Sequence, residues 1–308
     1  MELATTVAVL YPGEMGAALA RLLAGRGTRV VTTLENRSQS TAVRAREAGI
    51  VVLDSLRDVV REAQVVFSLV PPAIAETLAQ AYCELARFSP PGALYVEANS
   101  IGPVVAQALS ARLAACGRGF VDAAINGPAS NAGAAGTLFL SGPRAAEVAA
   151  LTQGAIRTEV LGEGPAAASA MKMALGGLAK GLCALFAEMS VLAERQKILP
   201  QMLDAAARIY PGVYTVVQRM LPTYATHASR RATEMSQVEQ TLLAAGIEPL
   251  VIRGVREAHE RWAAAPFDST DGGADQTVAA ILRHWANGGS KSDQPRVAPT
   301  DLNGSENL

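Results

Sequence analysis

The first half of the chain alternates short β-branched runs with Ala-, Leu- and Arg-rich segments of helical period. Strands are predicted over residues 7–10, 29–34, 65–70, 94–97, 119–123 and 137–141, and a short one begins at residues 50–51. Helices are predicted between them, over 15–24, 40–48, 74–86 and 104–115. This alternation specifies an α/β fold with a doubly wound, mainly parallel sheet. Right-handed crossovers bring the carboxyl ends of the parallel strands to one edge, where such sheets bind ligands.

After about Gly164 the pattern changes. Residues 165–196 read as one long Ala/Met/Leu helix, and further helices follow, punctuated by Pro200, Pro211-Gly212, Pro222, Gly246 and Pro249. The expected organisation is an α/β domain over 1–164 and an all-helical domain over 165–286. The polar end, 287–308, begins N-G-G-S-K-S-D-Q-P-R and is expected to be disordered.

Composition narrows the class. Half of the residues are hydrophobic (50%) and 18% are charged, which supports a buried core. A net charge of −1 provides no global basic field for nucleic acid or an anionic membrane, and Arg230-Arg231 reads as a solvated helix face. Cys83, Cys116 and Cys183 are scattered without CxxC spacing, so no disulfide framework is expected. His227, His259 and His284 form no metal-ligand pattern, and no metal is expected. With no signal-peptide pattern and no run of about 18 apolar residues, a cytoplasmic protein is the expectation.

The first strand leads into V-A-V-L-Y-P-G-E-M-G, residues 7–16. Between a strand and a helix, this is the place of a dinucleotide-binding turn. Gly13 lets backbone approach a pyrophosphate, and Gly16 lets the helix pack closely on the sheet. The helix start then offers the N–H groups of Glu14, Met15 and Gly16 to phosphate. Tyr11 stands where a first glycine is usual, and Pro12 biases it toward an extended approach to the loop. On this stretch alone, a cofactor loop and a ligand-free strand–turn–helix fit equally.

The second strand ends in T-T-L-E-N-R-S, residues 32–38. Glu35 is placed to accept an adenosine ribose 2′-OH, which suits NAD(H). Asn36, Arg37 and Ser38 are placed to hold a 2′-phosphate, which suits NADP(H). NADP(H) is favoured, with Glu35 turned to solvent, and NAD(H) stays open.

Further signatures follow in order. They are V-D-A-A-I-N-G-P (121–128) with G-A-A-G-T-L (133–138), S-A-M-K-M (169–173), and R-R-A-T-E-M-S-Q-V-E (230–239) followed by G-I-E-P-L. Together with Y-P-G-E-M-G (11–16) and N-S-I-G-P (99–103), they resemble the β-hydroxyacid dehydrogenase and 6-phosphogluconate dehydrogenase-like superfamily, in the branch with a DUF1932 C-terminal domain. The resemblance spans about residues 5–265.

The resemblance implies a Rossmann domain, a long connecting helix and a helical domain that forms a homodimer. It implies Lys172 as the acid/base that protonates a carbonyl oxygen as hydride arrives. Pro12, Gly13, Glu14, Met15, Gly16, Val70, Pro71 and Asn99 would border the cofactor. Ser100, Asn126, Gly127 and Gly176 would border a small-molecule substrate. A lysine between Met171 and Met173 suits acid/base work if desolvated, although composition alone reads it as a surface lysine. Lys180 reads as structural or as a second anion contact.

The departures matter. The family usually has asparagine three or four residues after the lysine, where Leu175 and Gly176 stand here. Asn126 replaces a serine and Pro128 a glycine, so a polar substrate contact is missing or comes from elsewhere, and a larger or less polar substrate fits the room left at Gly176. The expected function is an NAD(P)-dependent oxidoreductase acting on a hydroxy acid or related carbonyl. The alternatives are an imine reductase and a non-catalytic dinucleotide-binding module.

Overall fold

The computed structural model describes residues 5–264 and Leu282. The segment expected to be disordered, 287–308, lies outside the described residues. Eight strands form one sheet. They are β1 (Thr6–Leu10), β2 (Arg29–Thr33), β3 (Val51–Leu53), β4 (Val65–Ser68), β5 (Leu94–Glu97), β6 (Gly119–Asn126), β7 (Thr137–Ser141) and β8 (Arg157–Val160). The order is β3-β2-β1-β4-β5-β6-β7-β8. All pairs are parallel except β6–β7. This is the doubly wound α/β architecture expected. The direction of winding reverses between β1 and β4, which opens a crevice at their carboxyl ends.

β6 and β7 are antiparallel because little chain joins them. Residues 127–136 hold only a 3-10 turn (Ala129–Asn131) and a one-turn helix, and a parallel return requires a crossover of a dozen or more residues.

The helices that cover the sheet are α1 (Glu14–Ala24), α2 (Gln39–Glu47), α3 (Leu56–Glu62), α4 (Ala75–Leu85), α5 (Pro103–Ala115), the short α6 (Ala132–Ala135) and α7 (Ala145–Thr152). Sequence reading missed α3, α7 and β8. β8 is R-T-E-V, with no residue fully buried, so it lacks the apolar signature of a central strand. Successive residues of β1 serve opposite faces, as the two-residue period of a strand requires. Val7 and Val9 join one apolar core with Leu19, Leu23 and Val96, while Ala8 and Leu10 join the other with Leu78, Tyr82 and Leu109. Two covered faces explain why β1 reads as an unbroken apolar run.

The other described residues are largely helical, as expected: α8 (Ala167–Arg195), α9 (Leu199–Ile209), α10 (Pro211–Met220), α11 (Tyr224–Ala244) and α12 (Leu250–Ala264). By length and composition alone α8 is long and apolar enough to cross a membrane. The sequence reading, which sought an uninterrupted apolar run, did not register this.

The chain forms two compact units, each built from separated stretches. One contains, among the described residues, 5–180 and 233–254. In it, α8 meets α11 and α12 closely at Gly177, where a β-carbon would lie 3.2 Å from Val238 and 3.4 Å from Ile252. The other contains, among the described residues, 181–232, 255–264 and Leu282. Its core gathers Cys183, Phe186, Leu199, Val217, Leu221 and Tyr224. In that core His259 is fully buried, with Nδ1 2.7 Å from Val255 O and Nε2 2.9 Å from the Tyr224 hydroxyl. Arg231 lies with its guanidinium 4.0 Å from the Tyr224 ring centre and is buried, so its reading as a solvated cation is corrected. A flat, weakly hydrated guanidinium can be buried on an aromatic face where an ammonium would not be.

Candidate active site

The loop after β1 closes differently from expectation. An extended approach was predicted, but Gly13 N–H donates to Tyr11 O at 2.8 Å, which makes a three-residue turn centred on Pro12. Proline's fixed φ suits that turn, and Tyr11 needs no left-handed conformation. Gly13 begins α1 with φ −64°, and no side chain caps it. A β-carbon there would meet nothing within 4 Å. Open space thus faces the first turn of α1, where the N–H groups of Glu14, Met15 and Gly16 lack intrahelical partners. At Gly16 a β-carbon would lie 2.5 Å from Tyr11 O and 3.2 Å from Val9 Cγ1. Only glycine lets α1 seat on β1 here. The open cradle and uncapped helix start fit a dinucleotide pyrophosphate.

Beside this loop, at the end of β2, Asn36 takes φ 57° and turns the chain toward α2. Arg37 lies over the Tyr11 ring, its guanidinium carbon 4.4 Å from the centroid, and its Nε donates to Glu35 O at 3.2 Å. Burial holds the Tyr11 hydroxyl above its ordinary pKa, while Arg37 opposes the rise and Glu35 adds to it. Ser38 caps α2: its Oγ accepts from Thr41 N at 3.3 Å and lies 2.9 Å from Ser40 Oγ and 3.0 Å from Thr41 Oγ1. A cavity of about 510 Å³ opens beside Glu35, between Ser55, Leu56, Arg57 and Leu85.

Across the carboxyl edge, Leu10, Ser68, Glu97 and Asp122 are aligned on four adjacent strands, and Ser141 on β7 pairs with Asp122. The four polar members of this row are 0% exposed. The sequence reading did not find the row, because its members come from four separate strands. Asn99 accepts from Val70 N at 2.5 Å through Oδ1 and donates to Ser68 Oγ at 2.8 Å through Nδ2, and its own N–H donates to Glu97 Oε1 at 3.0 Å. Its side chain thereby ties the turn at Val70 and Pro71 to the end of β5. Ser100, next in sequence, is half-buried. Glu97 Oε2 has no partner among the described residues, and burial pushes the carboxyl up to about 8.

Asp122 organises the start of α8. Ser169 donates to its carboxylate from N (2.8 Å) and Oγ (2.6 Å), and Ser141 Oγ donates to it at 3.2 Å. Ala168 N donates to Ser141 Oγ at 3.0 Å. Met171 and Leu175 pack on Ala124, Phe139 and Ala168. The half-buried Lys172 is thus held near the end of β6, where its Nζ donates to Ile125 O at 3.1 Å. Asn126 and Gly127 follow directly. Gly127 has φ 138°, and a β-carbon on it would lie 2.7 Å from Gly136 Cα, so this turn requires glycine. At Gly176, one turn beyond Lys172, the space of a side chain is bordered by the Lys180 ammonium, 3.3 Å from where a β-carbon would stand. Lys180 pairs with Glu234 at 3.0 Å. Among the described residues, no group of His, Cys, Asp and Glu could hold a metal.

Two family models cover most of the chain. Residues 6–153 match the NAD binding domain of 6-phosphogluconate dehydrogenase, and residues 193–262 match DUF1932, a domain of unknown function. The chain belongs to the 6-phosphogluconate dehydrogenase-like superfamily, in its DUF1932 branch. It is 30% identical to a conserved protein of unknown function described as structurally similar to 3-hydroxyacid dehydrogenases. That match covers 89% of this chain and 99% of the other, with a TM-score of 0.71. An uncharacterized 28.5 kDa protein of Methanothermus fervidus is 23% identical over 243 residues, 78% of this chain and 92% of that protein. The Mycobacterium tuberculosis 3-hydroxyisobutyrate dehydrogenase, solved with L-serine, shares the fold at 19% identity and a TM-score of 0.74, over 91% of this chain and 99% of the other. The Rossmann fold of this superfamily member carries a nicotinamide-dinucleotide-binding domain.

Proposed function

We propose that this protein is an NADP(H)-dependent oxidoreductase that interconverts a hydroxy acid, or a related alcohol, and the corresponding carbonyl compound, with Lys172 as general acid/base. The position of Lys172 carries the reading: its ammonium reaches Ile125 O near the end of strand β6, beside Asn126 and Gly127, at the ligand edge of the sheet. A bound nicotinamide supplies or accepts the hydride. Lys172 gives a proton to the oxygen that gains negative charge during reduction and takes it back in the reverse direction. Asn126 and the Gly127 backbone are suited to orient a polar substrate group. Arg37, Ser38, Ser40 and Thr41 at the start of α2 favour a 2′-phosphate, and hence NADP(H) over NAD(H).

Gly176 bears on the substrate. The missing asparagine side chain leaves a neighbouring ammonium, Lys180, rather than an empty apolar space. That ammonium is already paired with Glu234, so the site favours a polar group on the substrate over the less polar one expected from sequence. Leu185, Met189 and Leu192 form an exposed apolar stripe on α8, which supports a homodimer through the helical region.

The test is a panel of hydroxy acids, ketones and imines assayed with NADPH and NADH, followed by Lys172→Ala on the best substrate. Turnover is expected to fall about 10²- to 10⁴-fold with NADPH binding retained. Full turnover by the variant refutes the role of Lys172. Reduction of imines alone would move the protein to the imine reductases, and no turnover with any class would favour a non-catalytic dinucleotide-binding module.

A further inference from the structure

We infer that Tyr11 is a cofactor-specificity residue: its ring holds the Arg37 guanidinium in place for a 2′-phosphate. The inference rests on the NADP(H) reading above and extends it to a residue outside the phosphate-contacting set. Tyr11 belongs to the loop after β1, and Arg37 to the loop after β2. The two loops meet in a contact between an aromatic face and a cation, with the guanidinium carbon 4.4 Å from the ring centroid. Arg37 is exposed, and an exposed arginine ordinarily samples many rotamers, so a phosphate must order it on binding. Here two restraints order it beforehand: the Tyr11 ring beneath the guanidinium and the Nε bond to Glu35 O.

Among the described residues the terminal guanidinium nitrogens make no other hydrogen bond. Ser38 follows Arg37 directly in the chain, and its hydroxyl lies 2.9 Å from that of Ser40 and 3.0 Å from that of Thr41 at the start of α2. A dianion there meets a fork of donors, hydroxyl groups and a helix N-terminus together. Glycine, which stands at position 11 in the usual loop pattern, has no face on which to stack an arginine. The bulky residue that makes this loop look defective is therefore assigned to the other end of the dinucleotide's phosphate chemistry.

The test measures dissociation constants for NADPH, NADH, 2′-phospho-AMP and AMP by calorimetry. The proteins are wild type, Tyr11→Phe, Tyr11→Leu, Arg37→Ala and the Tyr11→Leu/Arg37→Ala double variant. Leucine keeps apolar bulk against the core while removing the π face, and thermal melts establish that each variant folds. Tyr11→Leu is expected to lower the NADPH-over-NADH and 2′-phospho-AMP-over-AMP preferences about 2- to 30-fold, the span of a cation–π contact. Tyr11→Phe is expected to keep both preferences. In the Arg37→Ala background, Tyr11→Leu is expected to change neither further. A Tyr11→Leu protein with the wild-type preference, or one whose loss adds to that of Arg37→Ala, overturns the role of Tyr11 and leaves the NADP(H) reading standing. A wild type with no preference for the phosphorylated ligands overturns both.

Discussion

Ser169 donates its backbone N–H and its hydroxyl to the carboxylate of Asp122, 47 residues earlier, at 2.8 and 2.6 Å. The contact fastens the first turn of α8 to β6 and fixes where Lys172, three residues on, can reach. A negative group at a helix N-terminus is favourable in itself. Ser169→Ala removes one donor and leaves a buried carboxylate short of a partner. It is expected to destabilise the protein by about 1–3 kcal/mol, read from the urea midpoint. Turnover should also fall, because the position of Lys172 is less restrained. A midpoint equal to wild type would show that the bond contributes nothing net.

The two glycines of the loop after β1 should separate stability from binding. Gly16→Ala forces a methyl group to 2.5 Å from Tyr11 O, so α1 must move. A loss of about 1–3 kcal/mol is expected, as for other overpacked sites. Gly13→Ala has φ −64° and open space around the new methyl. It should fold within about 0.5 kcal/mol of wild type and bind NADPH at least about tenfold more weakly. Wild-type NADPH affinity in Gly13→Ala would remove this loop from the cofactor site.

Glu97 should give the protein an acid-side stability. Its carboxyl is raised from an ordinary 4.5 to about 8, chiefly by burial, with Asp122 adding to the rise. Between those values the unfolded chain ionises while the folded chain keeps the proton. Stability contributed by this group is therefore full below about 4.5, falls as pH rises toward 8 and levels off above it. Asp122, also raised by burial, acts in the same direction. Glu97→Gln is expected to gain on wild type as pH rises from 5 to 8, by up to about 1.4 kcal/mol per pH unit. Urea titrations at several pH values check this; a difference independent of pH would contradict it.

Cys83 on α4 and Cys116 at the end of α5 lie 2.7 Å apart, sulfur to sulfur, and both are partly exposed. With excess oxidised glutathione the pair is expected to form a disulfide, leaving one of the three thiols, the buried Cys183, free to alkylation after denaturation. Burial and Cys116 push the Cys83 thiol up to about 12, so oxidation should quicken as pH rises. Mass spectrometry that finds all three cysteines alkylated would refute the pairing.

Features carried by short-range pattern were legible beforehand. The strands 94–97 and 137–141 have the predicted bounds, and α1, α5 and α8 start and stop within two residues of expectation. β8 and α3 were not legible, because neither a half-exposed polar strand nor a seven-residue helix shows enough period. The motif pointed to Lys172, but its bond to Ile125 appears only once β6 and α8 are placed together.

The sequence by itself determined the alternating elements, the close packing at Gly16 and the family membership, because strand period, helix period and turn chemistry act over a few residues. Only the tertiary structure decided that Tyr11 lies under Arg37, that Lys180 pairs with Glu234, that Cys83 meets Cys116, and that Ser68, Glu97, Asp122 and Ser141 form one buried row. Strand order, strand register and the packing of helices on the sheet and on one another set those contacts. They arise from burying both faces of the sheet at once, which no local stretch of sequence encodes.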